Sequence, residues 1–260
     1  IYVSSLHLLL SSMDIRAEAF LLGEIVSACY YYLRYDRIGG IKNLLLASIF
    51  TGLALMTKGL FVVVTIFSGL VAVWLYSGEL RKIIQPKWLL AYALSLLATL
   101  PELICLYVQF DLHPEKLVFG QHQVSGISWF FWGSQFGRFF NSGPIVNNHG
   151  NPGFFIHTFL WAFLPWSLLF IASLIAVCRC FKAEVTTQRA ISIYLQSSFW
   201  LTFIMFSATK FQLDHYTNII MPFAAIIVAN YIVNQASKLS VIVKIQQGLT
   251  FLILCLSLAI

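Results

Sequence analysis

Residues 44–76 read LLLASIFTGLALMTKGLFVVVTIFSGLVAVWLY, which is two apolar runs separated by a single charged residue, Lys58. A third apolar run occupies residues 159–178. A helix needs about 20 predominantly apolar residues to cross a bilayer, and these runs approach that length. The stretch therefore favours membrane-spanning helices, two of them joined by a very tight turn.

The composition of the whole chain agrees with this interpretation. Of its 260 residues, 59% are hydrophobic and 10% are charged, whereas soluble proteins carry about 25% charged residues. A soluble fold cannot cover its surface with so few charges, so soluble enzymes, nucleic-acid binders and disulfide scaffolds are excluded. The net charge of +6 fits membrane topology better than a nucleic-acid partner.

Breaks in hydropathy predict an all-α, polytopic transmembrane bundle that forms one domain over residues 1–260. The eight predicted spans are residues 19–35, 41–57, 60–76, 88–108, 154–178, 191–209, 217–235 and 243–260. Strict alternation places eleven Lys and Arg residues on one side and five on the other. The positive-inside rule assigns the richer side to the cytoplasm. The five on the outer side are Arg16, Lys58, Lys116, Arg138 and Lys210.

The connection between the fourth and fifth spans, residues 109–153, is predicted to be an aromatic-rich outer loop. It is too polar to span a membrane and too aromatic for a flexible linker. One interpretation is an aromatic belt in the lipid headgroups; the other is a lid over an outward-facing site, in which Trp132, Arg138 and His149 contact the acceptor. The loop histidines lack the tight spacing of a metal site, so no cofactor is assigned and a divalent metal stays open.

Acidic residues precede the first predicted span, in the segment Ser12-Met13-Asp14-Ile15-Arg16-Ala17-Glu18. They have a structural interpretation, because Ser12 or Asp14 can cap the helix and Glu18 in its first turn favours the positive end of the helix dipole. They also have a functional one, in which Asp14 or Glu18 serves as a general base facing an outer cavity. The residues alone leave both open.

Two lysine-containing turns are predicted on the same outer face. Lys58 lies beside the N-terminus of a helix, where free N–H groups attract an anion, and Lys210 is followed by His215 and Tyr216. Together these four residues suit the phosphate of a lipid-linked ligand. The alternatives are a Lys58 that extends to the headgroups and a surface ion pair between Lys210 and Asp214.

The chain resembles the GT-C membrane glycosyltransferases, specifically the superfamily of protein-O-mannosyltransferases and lipid A aminoarabinose transferases. The resemblance covers residues 10–235. The motifs that carry it are Arg16-Ala17-Glu18, the turn Thr57-Lys58-Gly59 with its preceding helix, Phe163-Leu164-Pro165-Trp166, and a K-x-x-L-x-x-Y pattern formed by Lys210, Leu213 and Tyr216 with Pro222 after it.

The resemblance implies transfer of a sugar from a polyprenyl-phosphate carrier to a lipid, glycan or protein acceptor, on the periplasmic side of a bacterial inner membrane. Lys58 and Lys210 would contact the donor phosphate, with His215 or Tyr216 assisting, and Glu18 matches the second acidic position of the family's site. The family's principal acidic residue lies upstream of Ile1. We therefore expect a fragment that lacks N-terminal and C-terminal parts and is inactive alone.

Two other functional classes remain open at this stage. A transporter or flippase for an anionic lipid or solute also binds anions within a helical bundle, although transporters place their charges near the bilayer midplane. The charged residues of this chain collect at one face instead, which favours the transferase. A non-catalytic membrane scaffold is the third alternative.

Overall fold

The protein is helical along almost its entire described length. The structure is a computed structural model that describes residues 1–11, 13, 16–147, 150–179, 187–235 and 240–258. Its α-helices are α1 (Leu6–Ser11), α2 (Glu18–Ile38), α3 (Ile41–Lys58), α4 (Val62–Tyr76), α5 (Pro86–Ala98), α6 (Leu100–Leu106), α7 (Gly126–Ser128), α8 (Ser134–Phe140), α9 (Phe154–Ala162), α10 (Ser167–Arg179), α11 (Thr187–Ala208), α12 (Met221–Gln235) and α13 (Ser240–Leu258). Two 3-10 segments (Leu80–Ile84 and Asp214–Ile220) and two π-helical turns (Tyr107–Asp111 and Trp129–Gly133) complete it. Within these ranges there is no β-strand.

Each predicted span coincides with one helix or with two consecutive helical segments. Among the described residues, α3, most of α11 and the segment Asp214–Asn234 can cross a membrane by length and apolar composition, and two bent helix pairs raise the number of candidates there from three to five. The helical membrane fold is therefore confirmed. The full count of eight spans stays a prediction.

Two of the predicted spans are broken rather than straight. The axes of α5 and α6 differ by 42°, and those of α9 and α10 differ by 112°. Pro101 lies in the first turn of α6, and Pro165 lies in the break between α9 and α10. Proline lacks the N–H that continues a helix, and its ring clashes with the preceding turn. Residues 154–178 are thus two helices and not one continuous span.

Close contacts between small residues bring the helices together. Helix α2 packs against α3, α3 against α5, and α4 against α11. A Cβ on Gly69 would lie 2.4 Å from Ser198 Oγ, and one on Gly52 would lie 2.5 Å from the Cβ of Ala98. In membranes, where lipid is as apolar as leucine, such close backbone approach drives helix packing. These glycines therefore hold α3 and α4 against their neighbours.

The outward surfaces of the helices are strongly apolar. Leu75, Leu97 and Ile204 are among the many large aliphatic side chains that are more than half exposed. Water-soluble monomers rarely leave such extensive apolar surface uncovered. The exposed faces therefore match a bundle surrounded by lipid.

The bundle has two chemically different ends. At one end, Lys82 pairs with Asp36 at 3.0 Å and the Arg189 guanidinium lies 5.3 Å from the centroid of the Tyr76 ring. At the other end, which we call the site end, α2 begins at Glu18, α3 ends at Lys58 and α11 ends at Ala208. The segregation agrees with the predicted alternation, and the side of the membrane that each end faces stays a prediction.

Candidate functional site

A partly buried ion pair forms the centre of the site end. The Nζ of Lys58 donates a hydrogen bond to Oε1 of Glu18 at 2.6 Å. Glu18 is only 7% exposed, and the Lys58 side chain is 18% exposed. Lys58 Nζ also lies 4.7 Å from the centroid of the Tyr216 ring, a cation–π distance. The pair therefore joins α2, α3 and the 3-10 segment Asp214–Ile220.

The local backbone explains why Lys58 can reach Glu18. Helix α3 ends at Lys58 because Gly59 adopts a positive φ of 87° and its N–H bonds to the carbonyl of Leu55. Only glycine adopts this conformation at little cost. The same glycine leaves room for Gln135 of α8, whose amide nitrogen would lie 2.0 Å from a Cβ at this position. Gly59 thus ends the helix and allows Gln135 to pack against it.

His215 extends the cluster beyond Glu18. Its Nε2 lies 3.5 Å from Glu18 Oε1, so Glu18 faces two nitrogen-bearing side chains through one oxygen. The Nδ1 of the same ring is 2.6 Å from Nη1 of Arg16. Asp214, the preceding residue, accepts the backbone N–H of His215 at 3.1 Å. His215 is thus held between a guanidinium and a carboxylate.

Residues 126–140, which we call the cover segment, lie against Lys58 and Tyr216 of this cluster. The cavity beneath them has a volume of about 30 Å³, which is enough for one or two water molecules. It is lined by Lys58, Phe61, Ser134, Gln135, Arg138, Phe139, Phe206, Thr209, Phe211 and Tyr216. Arg138 also lies close enough to influence the Tyr216 hydroxyl electrostatically. The site is therefore nearly closed.

The cover segment is fastened at both of its ends. Asp111 accepts hydrogen bonds from Ser125 Oγ at 2.5 Å and from the backbone N–H of Gly126 at 2.8 Å, which fixes the start of the segment. At its other end, the carbonyl of Phe139 accepts the backbone N–H of Lys210 at 2.9 Å. The backbone of the Lys210 turn therefore holds the end of the cover segment.

The structure brings together five of the residues predicted for the site and separates others from them. Glu18, Lys58, His215, Tyr216 and Arg138 form one group. The side chain of Lys210 is exposed and does not line the cavity beneath the cover segment. Trp132 is 67% exposed and stacks on Phe136 with ring centroids 4.4 Å apart. Asp14 and His149 lie outside the described residues.

The sequence also allows structural interpretations of the acidic residues near the start of α2 and of Lys210. Glu18 lies in the first turn of α2, which has no side-chain cap at Ala17, while Asp14 lies outside the described residues. The alternative ion pair between Lys210 and Asp214 is not formed. Instead, Asp214 Oδ2 lies 3.9 Å from His7 Nε2. Glu18 therefore keeps the helix-dipole interpretation beside the functional one, and the surface ion pair does not account for Lys210.

Two features of the site are missed by the sequence. Arg16 belongs to the Arg16-Ala17-Glu18 motif without a role of its own, yet it contacts His215, which lies 199 residues away in the sequence. His7, which is buried, has its Nδ1 2.8 Å from Asn218 Oδ1 and 3.0 Å from Ser11 Oγ. No local pattern signals contacts between residues so distant in sequence. In the part of the chain that the structure describes, no three His, Cys, Asp or Glu side chains are grouped as metal ligands.

Fold and site together define a helical membrane protein with a GT-C-like fold. The structure is similar to that of ArnT from Cupriavidus metallidurans, which was crystallised bound to undecaprenyl phosphate, with a TM-score of 0.67 and 16% sequence identity. The match covers 89% of this chain and 39% of that chain, so this chain spans about two fifths of the ArnT structure. No family model and no curated protein matches the sequence. The likeness confirms the GT-C-like fold that the motifs predict.

Proposed function

We propose that the intact protein transfers a sugar from a polyprenyl-phosphate-linked donor to a lipid, glycan or protein acceptor. The observation that carries this proposal is the partly buried Lys58–Glu18 pair at 2.6 Å, placed at the end of an apolar bundle and beneath a cover. A cation at that place suits a phosphate, and the lipid-facing helices suit a prenyl chain. The ArnT structure with undecaprenyl phosphate supports this choice of donor.

Lys58 is the proposed ligand of the donor phosphate. When the bond between the sugar and the phosphate breaks, negative charge grows on the leaving phosphate, and a fixed cation lowers the energy of that state. His215 and the Tyr216 hydroxyl are the proposed neutral donors to the same phosphate. His215 Nε2 lies 3.5 Å from Oε1 of Glu18, the partner of Lys58, and the Tyr216 ring lies 4.7 Å from Lys58 Nζ, which supports these roles.

Glu18 is the proposed general base. In a single displacement, an acceptor oxygen forms a bond to the anomeric carbon while the bond from that carbon to the phosphate oxygen breaks. The acceptor proton passes to the Glu18 carboxylate, and the polyprenyl phosphate leaves with the electron pair. Asp14 is the second proposed acid of the site. The resemblance places a further acidic residue upstream of Ile1, so each test uses the intact protein.

Donor binding is proposed to exchange the partner of Lys58. In the closed arrangement Glu18 neutralises the lysine, and the cavity of about 30 Å³ has no room for a glycosyl phosphate. Raising the cover segment would break the bond between Phe139 and Lys210 and free that turn to approach the phosphate. This is the role we propose for Lys210. Arg138, Trp132 and His149 are proposed to contact the acceptor from the cover side.

The site end is proposed to face the periplasm of a bacterium, with the protein in the inner membrane. The support is the distribution of Lys and Arg, eleven on the opposite side against five on this one. The transferred sugar is proposed to be a hexose or a pentose.

Transfer assays on lysine variants test the proposal. Lys58→Met should reduce sugar transfer from a polyprenyl-phosphate sugar by about 100-fold or more, the scale for removing a group that stabilises developing charge. Lys42→Met is the matched control, because Lys42 is an exposed lysine near the other end of the same helix. Lys210→Met should also reduce transfer if its turn reaches the phosphate.

The outcomes separate the candidate functions. Wild-type transfer by Lys58→Met contradicts the proposed role of Lys58. If the wild-type protein moves a labelled polyprenyl-phosphate sugar between leaflets of a vesicle without forming a glycosylated product, the transporter alternative is correct. Equal loss in Lys58→Met and Lys42→Met would show that membrane insertion, and not phosphate binding, was affected.

A further inference from the structure

We propose that Arg16 is a positioning residue that fixes His215 as a neutral imidazole with its proton on Nε2. In that form the ring directs an N–H toward Glu18. The effect on transfer rests on the function proposed above, whereas the protonation state of the ring is a property of the structure itself. Arg16 is assigned no role by its sequence motif.

The first step concerns Nδ1 of His215. Arg16 Nη1 lies 2.6 Å from this nitrogen, a hydrogen-bond distance. A guanidinium has only donors and does not lose its charge in proteins. The ring nitrogen that it contacts must therefore accept, so Nδ1 carries no proton. A neutral imidazole with a bare Nδ1 has its proton on Nε2.

The second step concerns the opposite nitrogen. Nε2 lies 3.5 Å from Oε1 of Glu18, which is longer than a strong hydrogen bond but within reach of charge attraction. A carboxylate is an acceptor only, so it also favours a proton on Nε2. Arg16 and Glu18 thus impose the same tautomer from opposite sides of the ring.

The other groups that face the ring do not reverse this choice. Asp214 Oδ1 lies 3.7 Å from Nδ1 and would favour a proton there, but it already accepts the backbone N–H of His215 at 3.1 Å. Lys58 pairs with Glu18 and, as a nearby cation, opposes a charged imidazolium. The Tyr216 ring meets the imidazole edge to face at 5.1 Å and favours neither nitrogen.

The consequence is a specific division of charge in the site. One cation, Lys58, faces Glu18, and the second nitrogen donor near Glu18 is a neutral N–H. A doubly protonated His215 would add a second positive charge beside the proposed base and hold its carboxylate more tightly. A proton on Nδ1 instead would direct a lone pair at the carboxylate. Arg16 prevents both arrangements.

Nitrogen-15 NMR of the intact protein, labelled at histidine and reconstituted in lipid nanodiscs, tests the tautomer directly. Protonated and bare ring nitrogens have well-separated chemical shifts, and the difference from a His215→Gln sample assigns the signals. We expect wild-type His215 to show a bare Nδ1 and a protonated Nε2. Arg16→Met should shift the ring toward the Nδ1–H or imidazolium form, and Arg16→Lys should preserve the wild-type pattern.

Asp214→Asn is the control, because it changes the other charged group near Nδ1 and should leave the pattern unchanged. A wild-type ring protonated on Nδ1 overturns the proposal even if Arg16→Met does not fold. So does an unchanged pattern in Arg16→Met, or an equal change in Asp214→Asn.

Kinetics give the second readout. Arg16→Met should lower kcat by about 10- to 100-fold, the scale for misplacing one group of a site, with a smaller change in KM for the donor and recovery in Arg16→Lys. Unchanged kcat in Arg16→Met overturns the effect on transfer. If the wild-type protein transfers no sugar at all, the proposed function fails, while the NMR result still decides the role of Arg16.

Discussion

Removing the charge of Lys58 while Glu18 remains is the most informative perturbation of the partly buried ion pair. Leaving one member of a buried pair without its partner costs about 3–5 kcal/mol. Here the cost should be smaller, because the Lys58 side chain is 18% exposed and His215 gives Glu18 a second neighbour at 3.5 Å. We therefore expect Lys58→Met to lower the free energy of unfolding by about 2–3 kcal/mol.

The matched variant Glu18→Gln should cost less, since Lys58 keeps its contact with the Tyr216 ring and some solvent. The double variant, Lys58→Met with Glu18→Gln, leaves no uncompensated charge and should be more stable than the sum of the single changes predicts. A coupling energy of about 1–2 kcal/mol is expected for residues in direct contact.

Reversible unfolding of the intact protein in mixed detergent and SDS micelles, followed by circular dichroism, measures the three free energies. Lys42→Met serves as the control and should change stability by less than about 0.5 kcal/mol, as exposed substitutions usually do. Strict additivity of the two single changes would refute the ion pair, and so would a Lys58→Met variant as stable as the wild type. Transfer should be lost in the double variant even though its stability is recovered.

The remaining predictions concern the cover segment and the orientation of the bundle. Gly59→Ala should lower both stability and transfer, because a side chain is strained at this positive φ and the new Cβ would lie 2.0 Å from the Gln135 amide nitrogen. Gly78 is the control, since it has a φ of 71° and open space around it. Gly78→Ala should show only the backbone cost of about 1–2 kcal/mol. Equal effects of the two changes on transfer would argue against a packed cover. In a cysteine-free background, Ser142→Cys should react with an impermeant thiol reagent added to the periplasmic side, and Ser77→Cys, at the other end of the bundle, should not. The reverse labelling would invert the proposed topology.

The sequence predicts the helices well because their cause is local. Each apolar run between two polar connections becomes a helix or a helix pair, and the turn at Gly59 lies where the sequence places it. The sequence predicts the position of the break at Pro165 but not its angle. A proline signals an interrupted helix, but the 112° angle between α9 and α10 depends on tertiary contacts such as Phe159 against Phe170 at 5.1 Å.

The sequence predicts which residues form the site better than it predicts the contacts between them. Chemistry and the family resemblance select Glu18, Lys58 and His215, and the structure places them together. The direct contact between Lys58 and Glu18 is not visible in the sequence, because it joins positions 40 residues apart. The sequence also pairs Lys58 with Lys210 as joint phosphate ligands, while the structure uses the backbone of Lys210 to hold the cover segment. Their joint action stays a prediction that requires an open cover.

The affinity of the intact protein for polyprenyl phosphate, measured by titration in nanodiscs for the wild type, Lys58→Met and Lys42→Met, addresses phosphate recognition most directly. Losing a charge-assisted contact of about 1.5–3 kcal/mol corresponds to about a 10- to 100-fold weaker Kd. We expect that loss for Lys58→Met and an unchanged Kd for Lys42→Met. Equal affinity of all three proteins would show that Lys58 does not bind the phosphate of the lipid carrier.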